Sequence, residues 1–271
     1  MKWIFLLLII NVSGCATTVT GRGIDLVDEY KYAQALPYLE EGVSEGSKTA
    51  AIVLAFVYLS DFQVPVNLEK AKQYYQQVLA LPPNLYDQYL DYFMPQVKAL
   101  ILLNDDTVDN DKEASGLLRQ QKYARYSPSL YRLAKCYAFG TGVNKNNSIA
   151  HQLFERAIEF DHYQIAMLKY AWWLSVHPDV QFRDKDYARQ LILSLDDFDD
   201  EMLFSVHNVF AAVYARNGQF DKATEYQSLA VKELSKQMDA YPAYGSWRLD
   251  YAARLEAYRS KKPWVEENVG F

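Results

Sequence analysis

Apolar residues recur along most of the chain at the three- and four-residue spacing that is typical of α-helices. Leu85, Tyr89 and Phe93 repeat at this spacing, as do apolar residues in most segments from residue 28 to residue 259. No segment alternates apolar and polar residues between turn dipeptides, as a strand at a sheet surface would. The pattern therefore predicts an all-α chain.

One arrangement of large and small residues occurs twice. The segment LAFVYLSDFQVPVNLEKAKQYYQQV, which begins at Leu54, aligns without a gap with LAKCYAFGTGVNKNNSIAHQLFERA, which begins 79 residues later at Leu133. The matched pairs are Leu54 and Leu133, Ala55 and Ala134, Tyr58 and Tyr137, Val64 and Val143, Ala71 and Ala150, and Tyr75 and Phe154. Small residues at fixed positions let a neighbouring helix approach closely, which is typical of stacked helical repeats.

The second copy resembles a Sel1-like repeat, a relative of the tetratricopeptide repeat (TPR). Tyr137 ends a first helix, Gly140 and Gly142 with Val143 form the loop, and Ala150 lies early in the second helix. Glycines at these positions permit the positive φ of a tight turn. The first copy has Asp61 and Gln63 where the glycines stand, so its turn must be built differently.

A further segment, VFAAVYARNGQFDKATEYQSLAVKEL from Val209, resembles a TPR unit. Ala211 and Ala223 are 12 residues apart, whereas Ala134 and Ala150 are 16 residues apart, because the inter-helix loop of the Sel1-like form is longer. The segment YKYAQALPYLEEGVSEGS, which begins near the N-terminus at residue 30, has the spacing of another second helix.

These resemblances imply a right-handed α-solenoid of helix-turn-helix repeats with a concave inner face. We expect Pro95 to break or kink a helix, residues 104–111 to form a polar loop, and a last helix at about 244–259 to cap the stack. The predicted organisation is a signal peptide at 1–14, a lipidated N-terminus and linker at 15–27, a solenoid at 28–259 and a tail at 260–271. Within the solenoid the clearest repeat units are at about 47–82, 128–162 and 204–237, and degenerate units are at about 84–126 and 163–197.

The N-terminus has the pattern of a bacterial lipoprotein signal peptide. Lys2 precedes an apolar run over residues 3–10 that is too short to cross a bilayer as a helix. Residues 12–15, VSGC, resemble a lipobox, which implies acylation of Cys15 and cleavage before it. The alternatives are an ordinary signal peptide and a buried N-terminal helix. Ala16 stands where an Asp would retain an enterobacterial-type lipoprotein at the inner membrane, so the resemblance implies the outer membrane, with the protein facing the periplasm.

Composition narrows the class of partner. The chain of 271 residues has a net charge of −6 and no basic block, which argues against nucleic acid as a partner. With Cys15 acylated, Cys136 would be the only cysteine left, so we expect no disulfide. Cys136 aligns with Val57 and Val213, and we therefore interpret it as a buried, inert thiol rather than a nucleophile.

No pattern of catalytic or metal-binding residues stands out. The histidines His151, His162, His177 and His207 are not at metal-ligand spacing, and Gly140-x-Gly142 follows no strand that would make it a phosphate loop. The acidic clusters at 104–111 and 196–201 lack the glycine of a calcium loop, and Asp199 or Asp200 more plausibly caps a helix. We predict no catalytic residue, no metal and no cofactor.

The leading hypothesis is a non-catalytic, lipid-anchored scaffold. The resemblance implies that it would bind envelope proteins, such as a channel or secretin, in the assembly or localisation of an exopolysaccharide export or pilus machine. An alternative is a lipoprotein that binds polysaccharide or peptidoglycan through aromatic side chains, for which the clusters Tyr86, Tyr89 and Tyr92, and Tyr241, Tyr244, Trp247 and Tyr251, are the candidates. Packing is the competing interpretation of these rings. An enzyme with a cleft built from distant residues is the third hypothesis.

Overall fold

All the regular secondary structure in the described part of the chain is helical. The computed structural model describes residues 18–60, 64–82, 87–105, 107–120, 127–159, 163–195, 203–240 and 242–266. Within these ranges it contains thirteen α-helices and no β-strand, which confirms the prediction of an all-α helical-repeat fold. None of these helices is both long enough and apolar enough to cross a membrane. The chain divides into two compact units at residue 120.

The N-terminal unit, up to residue 120, is built from three consecutive helix pairs. The helices are α1 (Val19–Asp28), α2 (Tyr32–Ser44), α3 (Lys48–Val57), α4 (Leu68–Ala80), α5 (Asp87–Leu103) and α6 (Val108–Leu118). Each odd-numbered helix packs against the even-numbered helix that follows it, and α3 also contacts α1, α2 and α5.

The C-terminal unit continues the same alternation and ends in an unpaired helix. Its helices are α7 (Ser127–Phe139), α8 (Asn147–Glu159), α9 (Gln164–Val176), α10 (Lys185–Leu193), α11 (Leu203–Arg216), α12 (Phe220–Ala240) and α13 (Arg248–Arg259). Helix α9 contacts α7, α8, α10 and α11, whereas the main contacts of α13 are with α12 and with the short 3-10 helix Pro242–Trp247 that precedes it.

The turns of the two Sel1-like units are closed in the same way. The carbonyl of Tyr58 accepts the N–H of Asn67 at 2.9 Å, and the carbonyl of Tyr137 accepts the N–H of Asn146 at 2.8 Å. Each asparagine side chain then caps its helix by accepting an N–H three residues ahead, at 3.0 Å in both units. The N-termini of α4 and α8 are therefore fixed identically, although only the second turn contains glycines.

A buried alanine follows the cap by four residues in five of the helix pairs. Its N–H donates to the carbonyl of the cap residue, and its side chain is 0% exposed. These alanines are Ala35, Ala71, Ala150, Ala188 and Ala223. In the degenerate pair α5–α6 the equivalent position is Asp111, and the fully buried alanine is Ala114, three residues further on. The register of that pair is therefore different.

Two helices are buried on nearly all sides. In α3 nine of ten residues are buried, and in α9 twelve of thirteen are buried. Both helices contact four others, so their sequences are apolar around the whole helix instead of amphipathic. These helices form the centres of the two cores.

The prediction of a linker at 15–27 needs a correction. Within this segment the helix α1, Val19–Asp28, begins. The helix completes a TPR-like pair with α2: Lys31 N–H donates to the Leu26 carbonyl at 2.7 Å, as Gln219 N–H donates to the Tyr214 carbonyl at 2.9 Å. Thr18 caps the helix by accepting the N–H of Gly21. The repeat region therefore begins earlier than the predicted residue 28.

Three smaller expectations also differ from the structure. Helix α5 continues through Pro95 without a break. The end of the acidic segment 104–111 is helical: the side chain of Thr107 caps α6, and Asp109 lies in its first turn, where the helix dipole favours negative charge. The last helix begins at Arg248, and the residues before it form the 3-10 helix.

We expect Gly23→Ala and Gly116→Ala to change stability in opposite directions. A Cβ on Gly23 would lie 2.8 Å from Cγ of the fully buried Leu39, so α1 and α2 would have to separate, whereas a Cβ on Gly116 would meet nothing within 4 Å. Gly23→Ala should lower the free energy of unfolding by about 1–3 kcal/mol. Gly116→Ala should raise it by about 0.5–1 kcal/mol, because alanine is the better helix former. Urea unfolding followed by circular dichroism measures both, and equal effects would contradict the close approach at Gly23.

The C-terminal end of α1 carries an unfavourable carboxylate. Burial, together with smaller contributions from the negative charges of Asp25 and Glu29, raises the pKa of Asp28 to about 7. The folded chain therefore holds a proton on Asp28 between about pH 4 and pH 7 that the unfolded chain has lost. Stability should fall as the pH rises through this window.

Asp28→Asn should remove this pH dependence. We expect the variant to be more stable than the parent at pH 8, by at most about 4 kcal/mol, and nearly unchanged at pH 4, where the folded carboxyl is protonated and the unfolded one is only about half ionised. Glu45→Gln, at an exposed carboxylate that ends α2, is the matched control and should show no such difference. Thermal unfolding at the two pH values measures the effect, and an equal gain at pH 4 would contradict it.

Candidate functional site

The site residue predicted from the sequence, Cys15, lies outside the described residues, and its acylation stays a prediction. The other cysteine, Cys136, is 2% exposed on α7. It occupies the apolar packing position that its alignment with Val57 and Val213 predicts, and these two residues are both 0% exposed.

His177, at the end of α9, is a packed and neutral side chain. Its ring lies 4.5 Å from that of Trp173 and 5.1 Å from that of Phe182. Burial lowers the pKa of His177, and its Nδ1 accepts the N–H of Asp179 at 3.0 Å. Its Nε2 lies 3.2 Å from the side-chain nitrogen of Asn147. These contacts shape the turn that follows α9.

The other described histidines also make packing or surface contacts. His151, on α8, hydrogen-bonds the hydroxyl of Tyr170 and lies 3.6 Å from a carboxylate oxygen of Glu155. His207 packs on the ring of Tyr226, and burial lowers its pKa. His162 lies outside the described residues. Within the described ranges no three His, Cys, Asp or Glu side chains are grouped as metal ligands.

The first acidic cluster is tied into the helix pairs around it. Asp105 forms an ion pair with Lys72 of α4 at 2.9 Å and accepts a hydrogen bond from Asn110 at 3.3 Å. The second cluster, at 196–201, lies outside the described residues, and so do Asp199 and Asp200, which were expected to cap a helix. The first cluster therefore links α4 to the start of α6.

The aromatic cluster near the C-terminus packs inside the protein. Tyr244 is 4% exposed and Tyr251 is 6% exposed, and both belong to a core cluster with Phe204. Trp247 packs partly buried against the same cluster. Packing is therefore the correct interpretation for these rings, which do not form the exposed row that a sugar polymer would need. Tyr86 and Tyr241, and the side chains of Tyr89 and Tyr92, lie outside the described part of the structure.

Tyrosines at equivalent repeat positions also serve packing. Tyr58 stacks on Tyr74 at 6.1 Å, with the ammonium group of Lys70 4.7 Å from the Tyr58 ring centroid. In the TPR-like pair, Tyr214 stacks on Tyr226 at 5.3 Å, and a lysine again lies over the ring, 5.1 Å from its centroid. Each stack joins the end of a first helix to the second helix of its pair.

The C-terminal tail folds back onto the C-terminal unit. Lys261 adopts the left-handed region with φ +55°, and Lys262 N–H donates to the Ala257 carbonyl at 2.9 Å, which ends α13 in a Schellman turn. The turn reverses the chain before Pro263. Residues 264–266 then lie across α9, α11 and α13.

Two backbone groups of the tail are held by the ends of helices. Glu266 N–H donates to the carbonyl of Val176 in the last turn of α9 at 2.9 Å. The carbonyl of Trp264 accepts a hydrogen bond from Arg216 of α11 at 2.8 Å, and the same guanidinium donates to the Ser175 carbonyl at 2.5 Å. The tail thus supplies hydrogen-bond partners to a carbonyl group and a guanidinium group at the ends of helices.

The side chains of Trp264 and Glu266 converge on Arg254 of α13. The guanidinium carbon of Arg254 lies 4.6 Å from the Trp172 ring centroid and 5.7 Å from that of Trp264. Arg254 donates to Glu266 at 3.3 Å and to the Asn208 side chain at 3.2 Å. We call the surface formed by Trp172, Asn208, Arg216 and Arg254 the tail groove.

The sequence pattern predicted residues 260–271 only as a tail, without this contact. Its one signal in the sequence is the aromatic residue Trp264 placed two positions before the carboxylate of Glu266. In an extended segment such residues project to the same side. Val265, between them, is 39% exposed.

Comparison with known families identifies the two clearest repeats. The Sel1 repeat model matches residues 49–77, which contain most of α3 and α4, and residues 127–159, which contain α7 and α8. No curated protein matches the chain. Sel1 repeats generally mediate protein–protein interactions, and proteins of this family are typically non-catalytic scaffolds. The chain is a helical-repeat protein that contains two Sel1 repeats.

Proposed function

We propose that this protein is a non-catalytic scaffold that binds other proteins of the bacterial cell envelope. The presence of two Sel1 repeats, each formed as a complete helix pair, carries the proposal. The described histidines and Cys136 support it, because each is engaged in helix packing or in a surface ion pair. In this proposal the repeats supply a stable surface to which the envelope proteins bind.

The scaffold is held at the outer membrane by acyl chains on Cys15. The support is the sequence VSGC after a short apolar run with a single preceding lysine, together with Ala16. Each buried CH2 of an acyl chain contributes about 0.8 kcal/mol, so two or more chains give durable anchoring. Thr18, which caps α1, follows Cys15 by three residues. The anchor and the first helix pair are therefore close along the chain.

Cys15→Ser should remove the protein from the outer membrane. Serine has no thiol to acylate, so we expect the variant to be absent from the outer-membrane fraction of a sucrose gradient and to lack the acyl mass in intact-protein mass spectrometry. Cys136→Ser is the matched control, since that residue is buried in α7 and should leave both readouts unchanged. Retention of the Cys15→Ser protein in the outer membrane would contradict the anchor.

The partner that we propose is a component of an outer-membrane secretion machine, such as a polysaccharide export channel or a pilus secretin. The support is the combination of a lipobox with helical repeats, which related lipoproteins use in assembling such channels. A periplasm-facing scaffold near the membrane would reach the channel while it assembles.

Photo-crosslinking in living cells should capture a defined envelope partner. The photoreactive residue replaces exposed apolar side chains one at a time, at Val180, which is 70% exposed, and at Leu249, which is 79% exposed. The exposed Ser235 on α12 is the control position. We expect one adduct with an outer-membrane channel protein from at least one apolar position and none from the control. Absence of any envelope-protein adduct across a scan of exposed positions would contradict the scaffold function.

A further inference from the structure

We infer that the tail groove is a binding site for an extended segment of a partner protein. This segment carries an aromatic residue two positions before a carboxylate. The chain's own tail occupies the site as an intramolecular competitor. The inference rests on the proposed scaffold function, because it identifies the class of partner segment that one surface would bind.

The contacts of the tail define what the groove recognises. Val176 and Arg216 hold one N–H and one carbonyl of the tail, which any extended segment could supply. Selectivity then comes from alternate side chains, since Trp264 and Glu266 face Arg254 while Val265 faces away. Backbone hydrogen bonds that set the register, with side-chain contacts at every second residue, are the general way in which a surface reads an extended peptide.

The charge of the groove favours an acidic segment. Three guanidinium groups lie at α9 in a chain whose net charge is −6: Arg216 donates to the Ser175 carbonyl, Arg183 donates to the His177 carbonyl, and Arg254 lies over the ring of Trp172. Burial and the positive charge of Arg183 both lower the pKa of Arg216. Arg254 is only 12% exposed, and its ion-pair partner in the described structure is Glu266 of the tail. A segment without a carboxylate would leave the buried guanidinium of Arg254 without its anion.

The tail leaves two buried donors of α13 without an acceptor, one of them in the tail groove. Both hydrogen bonds to the Glu266 carboxylate, from Arg254 and from Trp264, end on the same oxygen, Oε2. The buried Nε of Arg254 and the buried hydroxyl of Tyr258 have no hydrogen-bond partner. Burial raises the pKa of Tyr258, so its hydroxyl remains a donor. A partner carboxylate that also met one of these donors would bind more tightly than the tail does, because a buried donor without an acceptor is costly.

A labelled copy of the tail tests the inference. The probe is the fluorescein-labelled peptide SKKPWVEENVGF, with the sequence of residues 260–271, and the binding partner is the full chain in non-ionic detergent. A tethered competitor acts at about millimolar effective concentration. The Trp264→Ala/Glu266→Ala chain should therefore bind the peptide at least about tenfold more tightly than the wild-type chain does. Val265→Ala, at the side chain that faces away, is the matched control and should bind as the wild type does.

Variants of the peptide test the recognition without any effect on folding. Replacing its tryptophan by alanine, or its first glutamate by glutamine, should weaken binding about tenfold, because the aromatic contact or the charged hydrogen bond is lost. If the double variant of the chain loses helicity, Glu266→Gln, which keeps the shape of the side chain, replaces it and should show a smaller gain in the same direction. Arg254→Lys in the tail-weakened background should weaken binding, since lysine lacks the planar fork.

Several results would overturn the inference. Equal affinity of the peptide for the wild-type and the tail-weakened chains would do so, and so would the absence of saturable binding or equal binding of the peptide variants. A mass that rises with concentration in light scattering, through exchanged tails, would assign the groove to a second copy of the chain instead. An envelope partner that crosslinks equally to wild-type and tail-weakened chains would leave the scaffold function intact and show that the groove is not its site.

Discussion

The fold depends on the close approach of two helices at one small side chain, which lies near the start of the second helix in five of the six helix pairs that the structure describes. Ala71 and Ala150 show the arrangement most clearly: each is fully buried, and each follows an asparagine cap that is hydrogen-bonded to a tyrosine near the end of the first helix. The cap fixes where the second helix begins, and the alanine fixes how near it lies. A larger side chain at this position would push the two helices apart, and the apolar residues beyond it would no longer meet.

This constraint explains which repeats could be predicted from the sequence. The 16-residue spacing of the buried alanines, and the 12-residue spacing of Ala211 and Ala223, predicted the helix pairs that carry them. The pair α1–α2 has the same 12-residue spacing, between Gly23 and Ala35, but the segment was interpreted as a linker. Its turn places Tyr30 at φ +61° where the TPR-like turn has Gly218 at φ +76°. Because a tyrosine adopts this conformation, the sequence lacks the glycine that would have indicated the turn. The positive φ of the tyrosine costs about 1–3 kcal/mol of backbone strain.

The tail groove could not be predicted from the sequence, because its parts come from three helices that periodicity treats separately. Asn208 and Arg254 are 46 residues apart, and Arg216 and Trp264 are 48 residues apart. A helical pattern shows that Trp172 is apolar and belongs in a core, but not that an arginine covers its ring. The same limit applied to the C-terminal tyrosines, whose burial depends on Phe204 in another helix. Local spacing predicts pairs of helices, whereas a binding surface depends on which pairs become neighbours.

The intrinsic affinity of the tethered tail determines how readily a partner segment can bind to the tail groove. A segment joined to its site by a few residues acts at about millimolar effective concentration, so a tail with only millimolar intrinsic affinity already fills half of the sites. Such a tail raises the apparent dissociation constant of a partner about twofold, whereas a tail with micromolar intrinsic affinity raises it about a thousandfold. The long contact of 3.3 Å from Arg254 to Glu266, and the buried donors of Arg254 and Tyr258 that it leaves unmet, favour a tail between these limits, of about 0.1 mM, which raises the dissociation constant about tenfold. The groove then stays covered against non-specific apolar contacts, and a segment that satisfies one more donor displaces the tail.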